Sequence, residues 1–309
     1  EKINILPLVS LYIFAFIRIL PIFSRFGSYI SNLRASYPSV ILLNTELKKL
    51  EEYNIKKEKI DKLSENKNLE FNDQIEFKDI YFEYKSENKE IFKGLNYKIK
   101  KNTCVAFVGK SGAGKTTLIN ILAGLLKPSR GQIKIDNLIL NDNINLWQNK
   151  IGLISQENYL LDDTIKNNII FLSSDEKINK ENLNDAILYS GLKNFIDILP
   201  NKLETIVGEK GSFLSGGQIQ RIALARLLYR NPEVLILDEF TNSLDFETEN
   251  FILEKLNDLK INKKKTIIMI SHKMKPLKIC DEIAILNNGN IEKVFDYKEF
   301  NDQYNLLYE

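Results

Sequence analysis

The segment GKSGAGKTT, residues 109–117, follows the apolar run CVAFV and leads directly into a helical pattern. It fits the pattern GxxxxGK followed by Ser or Thr, in which glycines let the backbone approach phosphates closely. Successive N–H groups and the start of the helix stabilise the negative charge of those phosphates. The pattern predicts that Lys115 reaches the β- and γ-phosphates and that the Thr116 hydroxyl is a ligand of Mg²⁺. Such a segment constrains the chain to an α/β domain in which a buried strand precedes this loop and a helix follows it.

All nine residues of this phosphate-binding loop are predicted to bind the nucleotide: Gly109, Lys110, Ser111, Gly112, Ala113, Gly114, Lys115, Thr116 and Thr117. Lys115 is in addition predicted to take part in catalysis. The alternative, a glycine-rich turn that binds no ligand, is disfavoured because pattern and context agree.

The segment VLILDEF supplies the acidic groups that a phosphate-binding loop needs. Asp238 follows four apolar residues, so we expect it at the carboxyl end of a central strand, where open α/β sheets bind their ligands. We predict that Asp238 is a ligand of Mg²⁺ and that the next residue, Glu239, activates the attacking water. A plain solvated acid is the alternative for Glu239.

Other apolar runs predict strands that are buried on both faces of a sheet. The three clearest are CVAFVG, VLILDE and TIIMIS, at residues 104–109, 234–239 and 266–271. Helical patterns such as KTTLINILAGLL and FETENFILEKLNDLK lie between them, and AILNNGNIEKV predicts an antiparallel hairpin. We therefore predict that residues 75–309 form one α/β domain.

The first part of the chain has a different composition. Ile5–Phe23 is almost wholly apolar and as a helix would span about 30 Å, the thickness of a bilayer core. We predict that residues 1–36 are the end of a transmembrane domain and that Arg18, Arg25 and Arg34 mark its cytoplasmic side. A buried helix of a soluble protein is the alternative. Residues 37–74 are polar and charged and are predicted to be a helical segment followed by a linker.

Charge and cysteine content disfavour two other classes of function. The formal net charge of +2 does not suggest a surface that holds nucleic acid. Two cysteines and one histidine, without ligand-like spacing, argue against a structural zinc site and suit a reducing compartment.

The segment LSGGQIQRIALARLL, which begins at Leu214, completes a set of motifs. Together with the phosphate-binding loop and LILDE, it resembles the ATP-binding cassette (ABC) family. The resemblance implies that Tyr84 stacks on adenine and that Gln156 contacts both the metal and the attacking water. It further implies that Asp245 lies in the loop joining two active sites. His272, the only histidine, matches the switch residue that reaches the γ-phosphate and helps to hold the water in line.

This resemblance covers Ile75 to the C-terminus, and it implies a P-loop NTPase fold with a RecA-like, mostly parallel core sheet. An antiparallel β subdomain and an α-helical signature subdomain belong to the same fold. The start of the signature helix is predicted to bind the ATP held by a second cassette, with the residues Leu214, Ser215, Gly216, Gly217 and Gln218. The implied assembly is a head-to-tail dimer, homomeric or heteromeric, that closes on ATP and reopens on hydrolysis.

The segment TIVGEKG before the signature resembles an exporter-specific loop, in which Glu209 contacts coupling helices. The apolar N-terminal segment is similar to that of flippases of lipid-linked oligosaccharides. We therefore expect half of an exporter that moves an amphipathic or lipid-linked substrate across a bacterial inner membrane. The alternatives are a soluble ABC ATPase acting as a mechanical switch, and a regulatory module without turnover. Three residues depart from the family pattern and affect the communication expected between sites: Phe240, Asn242 and Ser243.

Overall fold

Four ranges, residues 5–64, 69–84, 89–171 and 178–308, are described by the computed structural model. The chain divides into two units, Glu1–Lys67 and Asn68–Glu309. The predicted linker, residues 37–74, includes 65–68, which lie outside the described residues.

The described residues of the first unit form one long helix, α1 (Ile5–Ser64). It continues through Pro21 and Pro38, although each proline removes one backbone hydrogen bond. Its segment Val9–Glu51 contains an 18-residue window with a mean hydropathy of 1.6 and no buried side chain. By length and composition this helix could cross a membrane, and it is the one such helix in the described part of the chain.

The second unit contains two sheets. Its strands are β1 (Gln74–Tyr84), β2 (Lys89–Lys100), β3 (Cys104–Val108), β4 (Arg130–Ile135), β5 (Leu138–Ile139), β6 (Ile151–Ile154), β7 (Val234–Asp238), β8 (Thr266–Ile270), β9 (Glu282–Asn287) and β10 (Asn290–Phe295). One sheet has the order β2-β1-β4-β5 and is antiparallel, and the other has the order β10-β9-β3-β8-β7-β6. In the second sheet every pair is parallel except β9 with β10, which are joined by the predicted turn at Asn288 and Gly289.

The helices of this unit are α2 (Lys115–Leu122), α3 (Ile144–Gln148), α4 (Ile165–Ile170), α5 (Lys180–Tyr189), α6 (Lys193–Ile198), α7 (Gly216–Tyr229), α8 (Phe246–Ile261), α9 (Met274–Leu277) and α10 (Tyr297–Tyr308). Short 3₁₀ turns occur at Leu140–Asp142, Lys202–Glu204 and Glu209–Gly211. The helical pattern that begins at Lys115 ends at Leu122, earlier than the sequence pattern indicates, because Gly124 with φ +72° turns the chain.

The parallel strands divide their side chains between two cores, because successive residues of a strand point to opposite faces. Val105 and Phe107 of β3 pack with α2 and the antiparallel sheet, whereas Cys104 and Ala106 pack with α7 and α8. A third core joins α4, α5, α6 and α7 into a helical layer. The predicted fold class is confirmed: a mostly parallel core sheet, an antiparallel β layer and a helical layer that contains the signature helix.

This topology determines where the site forms. In the larger sheet β3 is hydrogen-bonded to β8, and β8 to β7. All three run parallel, so the loops that follow them meet at one edge of the sheet. Those loops begin at Gly109, Glu239 and Ser271.

Candidate nucleotide-binding and catalytic site

The phosphate-binding loop follows β3 and ends at Gly114, the N-cap residue of α2. Gly114 has φ +101° and ψ +9°, a conformation that costs other residues about 1–2 kcal/mol. A methyl group at this position would lie 2.7 Å from Cγ2 of Ile91 and 3.0 Å from the Phe92 ring. Glycine is therefore required here both by the backbone conformation and by the close packing against β2.

The side chain of Lys115 folds back over this loop. Its Nζ donates hydrogen bonds to the carbonyl oxygens of Gly109 at 2.9 Å and Lys110 at 3.0 Å. Burial lowers the pKa of Lys115, while the carboxylates of Glu239 and Asp238 oppose that shift. The amine is thus held at the loop, near the two acidic groups at the end of β7.

Asp238 is the last residue of β7 and is buried. The Thr116 hydroxyl donates a hydrogen bond to its Oδ2 at 3.0 Å. Burial and the charge of Glu239 raise the pKa of Asp238 against the opposing effects of this bond, Lys115 and His272, so a bound cation would stabilise its charged form. Thr116, Asp238 and the Gln156 amide offer oxygen ligands, the kind that Mg²⁺ prefers, so the residues fit the ion.

Glu239 is the point where the loops after three different strands converge. Its Oε1 lies 3.1 Å from Nε2 of His272, and its Oε2 accepts a hydrogen bond from Nε2 of Gln156 at 3.3 Å. The backbone N–H of Glu239 donates to the carbonyl oxygen of Ile270, the last residue of β8, at 3.1 Å. Its φ of +48° is left-handed, a rare conformation for residues other than glycine. The predicted catalytic residues Gln156, Glu239 and His272 are therefore in direct contact.

Tyr84, at the end of β1, lies beside the same loop. Its hydroxyl is 3.2 Å from Oγ1 of Thr117, and its ring packs edge-on against Phe82 with centroids 5.0 Å apart. Tyr84 is half-buried, which leaves part of its side chain open to solvent for the stacking that is predicted.

The signature segment forms the start of α7. Ser215 is its N-cap in a reciprocal capping box with Gln218: Ser215 N–H donates to Oε1 of Gln218 at 2.8 Å, and Gln218 N–H donates to Oγ of Ser215 at 3.3 Å. Ser215 and Gly216 are exposed, whereas Leu214, Gly217 and Gln218 are half-buried. Within the described residues no hydrogen bond joins this segment to the phosphate-binding loop. The structure thus places two anion-attracting helix starts at separate positions in one chain.

Asp245 is the exposed N-cap of α8, where its Oδ1 accepts a hydrogen bond from the N–H of Thr248 at 2.9 Å. This bond lowers the pKa of Asp245. The loop that Asp245 ends also packs against the signature, because a methyl group at Gly217 would lie 3.0 Å from the Ser243 carbonyl oxygen.

Two features of the site were not anticipated from the sequence. Asn242, regarded there only as a departure from the family pattern, donates a hydrogen bond from Nδ2 to Oε2 of Glu239 at 2.9 Å. In addition, the buried carboxylate of Glu249 is paired with Lys275 at 3.0 Å and Lys273 at 3.5 Å. The contact between Asn242 and Glu239 could have been predicted from their spacing, because a turn brings residues three apart close together.

Comparison with known proteins gives the same assignment. A family model described as ABC transporter matches residues 92–242. The ATP-dependent permease MDL1 of Candida albicans is 40% identical over 246 residues, which cover 77% of this chain and 36% of that protein. The ATP-dependent lipid A-core flippase of Idiomarina loihiensis is 36% identical over 236 residues, 76% of this chain and 40% of that protein.

A solved structure, that of a bacterial Atm1-family ABC exporter with ATP bound, superposes with a TM-score of 0.71 and 31% identity. The match covers 76% of this chain and 41% of that exporter, so this chain spans well under half the length of these relatives. Motif, fold and similarity agree: this chain carries the ATP-binding domain of the ABC transporter family, which the family model places at residues 92–242.

Proposed function

We propose that the second unit hydrolyses MgATP and that this reaction drives transport across a membrane. The observation that carries the proposal is the contact of Glu239 with both Gln156 and His272, at 3.3 and 3.1 Å. A carboxylate at the end of a central strand, beside a phosphate-binding loop, can accept a proton from an attacking water. A module that binds ATP without turnover would not need this arrangement.

Several residues of the chain have separate roles in the proposed reaction. Lys115 and the N–H groups of the phosphate-binding loop bind the β- and γ-phosphates and neutralise their charge. Glu239 accepts the proton of the water, while His272 and Gln156 fix the direction of its two carboxylate oxygens. Tyr84 holds the adenine ring by stacking.

Thr116, Asp238 and Gln156 would hold Mg²⁺, since their oxygen atoms suit a hard cation and Asp238 is a buried acid. When bound, the ion neutralises charge on the phosphate oxygens.

The partner that we propose is a second ABC cassette, carried either by an identical chain or by a different one. The start of α7, with Ser215 and Gly216 exposed, offers N–H groups and a positive helix end to an anion outside this chain. The phosphate-binding loop already serves one triphosphate, so the signature residues Leu214–Gln218 are free for the ATP of the partner. A two-fold, head-to-tail arrangement satisfies both sites at once.

We propose that the coupled process is export or flipping of an amphipathic or lipid-linked substrate. The exposed apolar surface of α1 supports the assignment of residues 1–36 to the last helix of a membrane domain, and 37–74 to the connection with the cassette. The similarity to a lipid A-core flippase supports the lipid-like substrate. The location would be the inner membrane of a bacterium, with the cassette in the cytoplasm.

The decisive experiment compares Glu239→Gln with Glu247→Gln, an exposed acid in the first turn of α8. Glu239→Gln should bind ATP with unchanged affinity, accumulate as an ATP-bound dimer in size-exclusion chromatography, and lose at least about 100-fold in kcat. Glu247→Gln should behave as the unmodified protein. Near-normal turnover of Glu239→Gln would overturn the catalytic assignment.

The membrane location has its own test. The native gene product should stay in the membrane fraction during alkaline extraction, because α1 carries a long apolar surface. Release into the supernatant would favour the soluble mechanical switch instead.

A further inference from the structure

Asn242 contacts Glu239 at two points. Its Nδ2 donates a hydrogen bond to Oε2 of Glu239 at 2.9 Å, and its backbone N–H donates to the Glu239 carbonyl oxygen at 3.2 Å. The residue therefore holds both the side chain and the backbone of Glu239 within one turn of chain.

The contact supplies a restraint that the other neighbours of Glu239 do not. His272 faces Oε1 at 3.1 Å, whereas, among the described residues, the other hydrogen bond to Oε2 comes from Gln156, at the long distance of 3.3 Å. A carboxylate can rotate about its last side-chain bond with little resistance, since terminal sp² torsions are broad. A second, shorter bond to Oε2 removes that freedom and fixes the plane of the carboxylate.

An amide is chemically suited to this task. The NH₂ group of asparagine donates and does not accept, whereas a serine hydroxyl both donates and accepts and rotates freely. The asparagine side chain is also longer than that of serine, so its donor reaches farther from the backbone. Hydrogen bonds to an ionised acceptor are stronger than those between neutral groups.

The neighbouring residue connects this contact to a second part of the molecule. Ser243 packs against the start of α7: its Cβ and its carbonyl oxygen lie 3.3 and 3.0 Å from the positions of methyl groups at Gly216 and Gly217. A displacement of the signature segment would thus press on the dipeptide that holds Glu239.

We propose that Asn242 is a positioning residue for Glu239, fixing the plane of the carboxylate and linking it to the signature segment through Ser243. The proposal rests on the proposed ATP hydrolysis. Asn242 acts through Glu239 and does not itself bind the nucleotide, so its loss affects turnover and leaves ATP affinity unchanged.

The test measures kcat, KM and ATP affinity of the full-length protein for Asn242→Ala and Asn242→Asp. Asn250→Ala and Asn250→Asp, at an exposed position of α8, are the matched controls. Asn242→Ala should lower kcat about tenfold, the effect of losing one hydrogen bond to an ion, with KM within about twofold. Asn242→Asp should lower kcat further, because it replaces the donor by a second negative charge beside Glu239. Asn242→Ser, which keeps a donor on a shorter side chain, should lower kcat less than Asn242→Ala does.

Two further measurements make the outcome specific. In a Glu239→Gln background, Asn242→Ala should change kcat by less than about twofold, because the carboxylate that it positions is absent. The side-chain NH₂ signal of Asn242 in a ¹⁵N spectrum should shift in the Glu239→Gln variant without nucleotide. Asn242→Ala with kcat within about twofold of Asn250→Ala, or an unmoved signal, would overturn the proposal. If Glu239→Gln itself turns over normally, the proposed hydrolysis fails instead.

Discussion

The hydroxyl of Thr116 and the carboxylate of Asp238 are joined by a 3.0 Å hydrogen bond, although 122 residues separate them in sequence. Thr116 lies in the first turn of α2 and Asp238 ends β7, so the bond connects the phosphate-binding segment to the acidic end of a central strand. Both groups carry oxygen atoms of the kind that a hard cation prefers, which is the basis of the proposed Mg²⁺ site.

We therefore expect Thr116→Val, which keeps the shape and removes the hydroxyl, to weaken ATP binding only in the presence of Mg²⁺. The Mg²⁺-dependent gain in affinity should fall about tenfold, equivalent to about 1.4 kcal/mol. Titrating the protein with a fluorescent ATP analogue, once in Mg²⁺ and once in EDTA, measures the ATP affinity with and without the metal. An equal loss in EDTA would mean that the substitution distorts the loop and would contradict the metal assignment.

Lys115→Ala should weaken nucleotide binding itself by at least about tenfold, since a buried cation that faces the phosphates is lost. Lys127→Ala, which removes an exposed lysine shortly after α2, is the control and should bind ATP normally. Thermal melting in the absence of nucleotide separates lost affinity from lost stability, because the Lys115 amine also bonds to two loop carbonyls. Unchanged affinity in Lys115→Ala would remove the phosphate-binding assignment.

Gly114→Ala and Gly112→Ala form a matched pair in the same loop. Both residues have positive φ, +101° and +78°, so both variants should lose about 1–2 kcal/mol through backbone strain. A methyl group meets no atom within 4 Å at Gly112 but overlaps Ile91 at 2.7 Å at Gly114. Chemical denaturation should therefore show an additional loss of about 1–3 kcal/mol for Gly114→Ala. Equal losses of unfolding free energy in the two variants would mean that β2 moves to accommodate the methyl group without destabilising the fold.

Tyr97 on β2 donates a hydrogen bond to Glu282 on β9 at 2.7 Å, and burial together with this bond raises the pKa of Tyr97. The folded chain then keeps the phenol proton at a pH where the unfolded chain, with an ordinary tyrosine pKa of about 10, has lost it. The stability that Tyr97 contributes is thus complete below pH about 10 and is lost as the pH rises further.

Melting temperatures measured from pH 8 to 11 should fall more steeply for the unmodified protein than for Tyr97→Phe, which has no proton to lose. Tyr159→Phe, at an exposed position, should follow the unmodified protein. Parallel curves for all three proteins would contradict the raised pKa.

The sequence was most informative where the local residue pattern and the position in the fold favour the same secondary structure. The runs around Cys104, Val234 and Thr266 could be assigned as parallel strands because their side chains are buried on both faces. The ends of those strands then brought Lys115, Asp238, Glu239 and His272 to one edge of the sheet. Gln156 could be assigned only through the family resemblance, because no local pattern distinguishes it.

Contacts that depend on side-chain direction could not be predicted in this way. Asn242 was interpreted as a weakening of the family pattern, yet its amide reaches Glu239, since a turn brings residues three apart together. The pairing of Glu249 with Lys273 and Lys275 joins α8 to the start of the short helix α9, which follows β8.

The left-handed backbone of Glu239 has a consequence for the evolution and engineering of this chain. A residue with a Cβ at φ +48° is about 1–2 kcal/mol less stable there than glycine, so the fold gives up stability at this position to retain a carboxylate. A selection for thermal stability alone should enrich Glu239→Gly, which gives a more stable protein without ATPase activity. Persistence of glutamate through such a selection would mark turnover, and not folding, as the property under constraint.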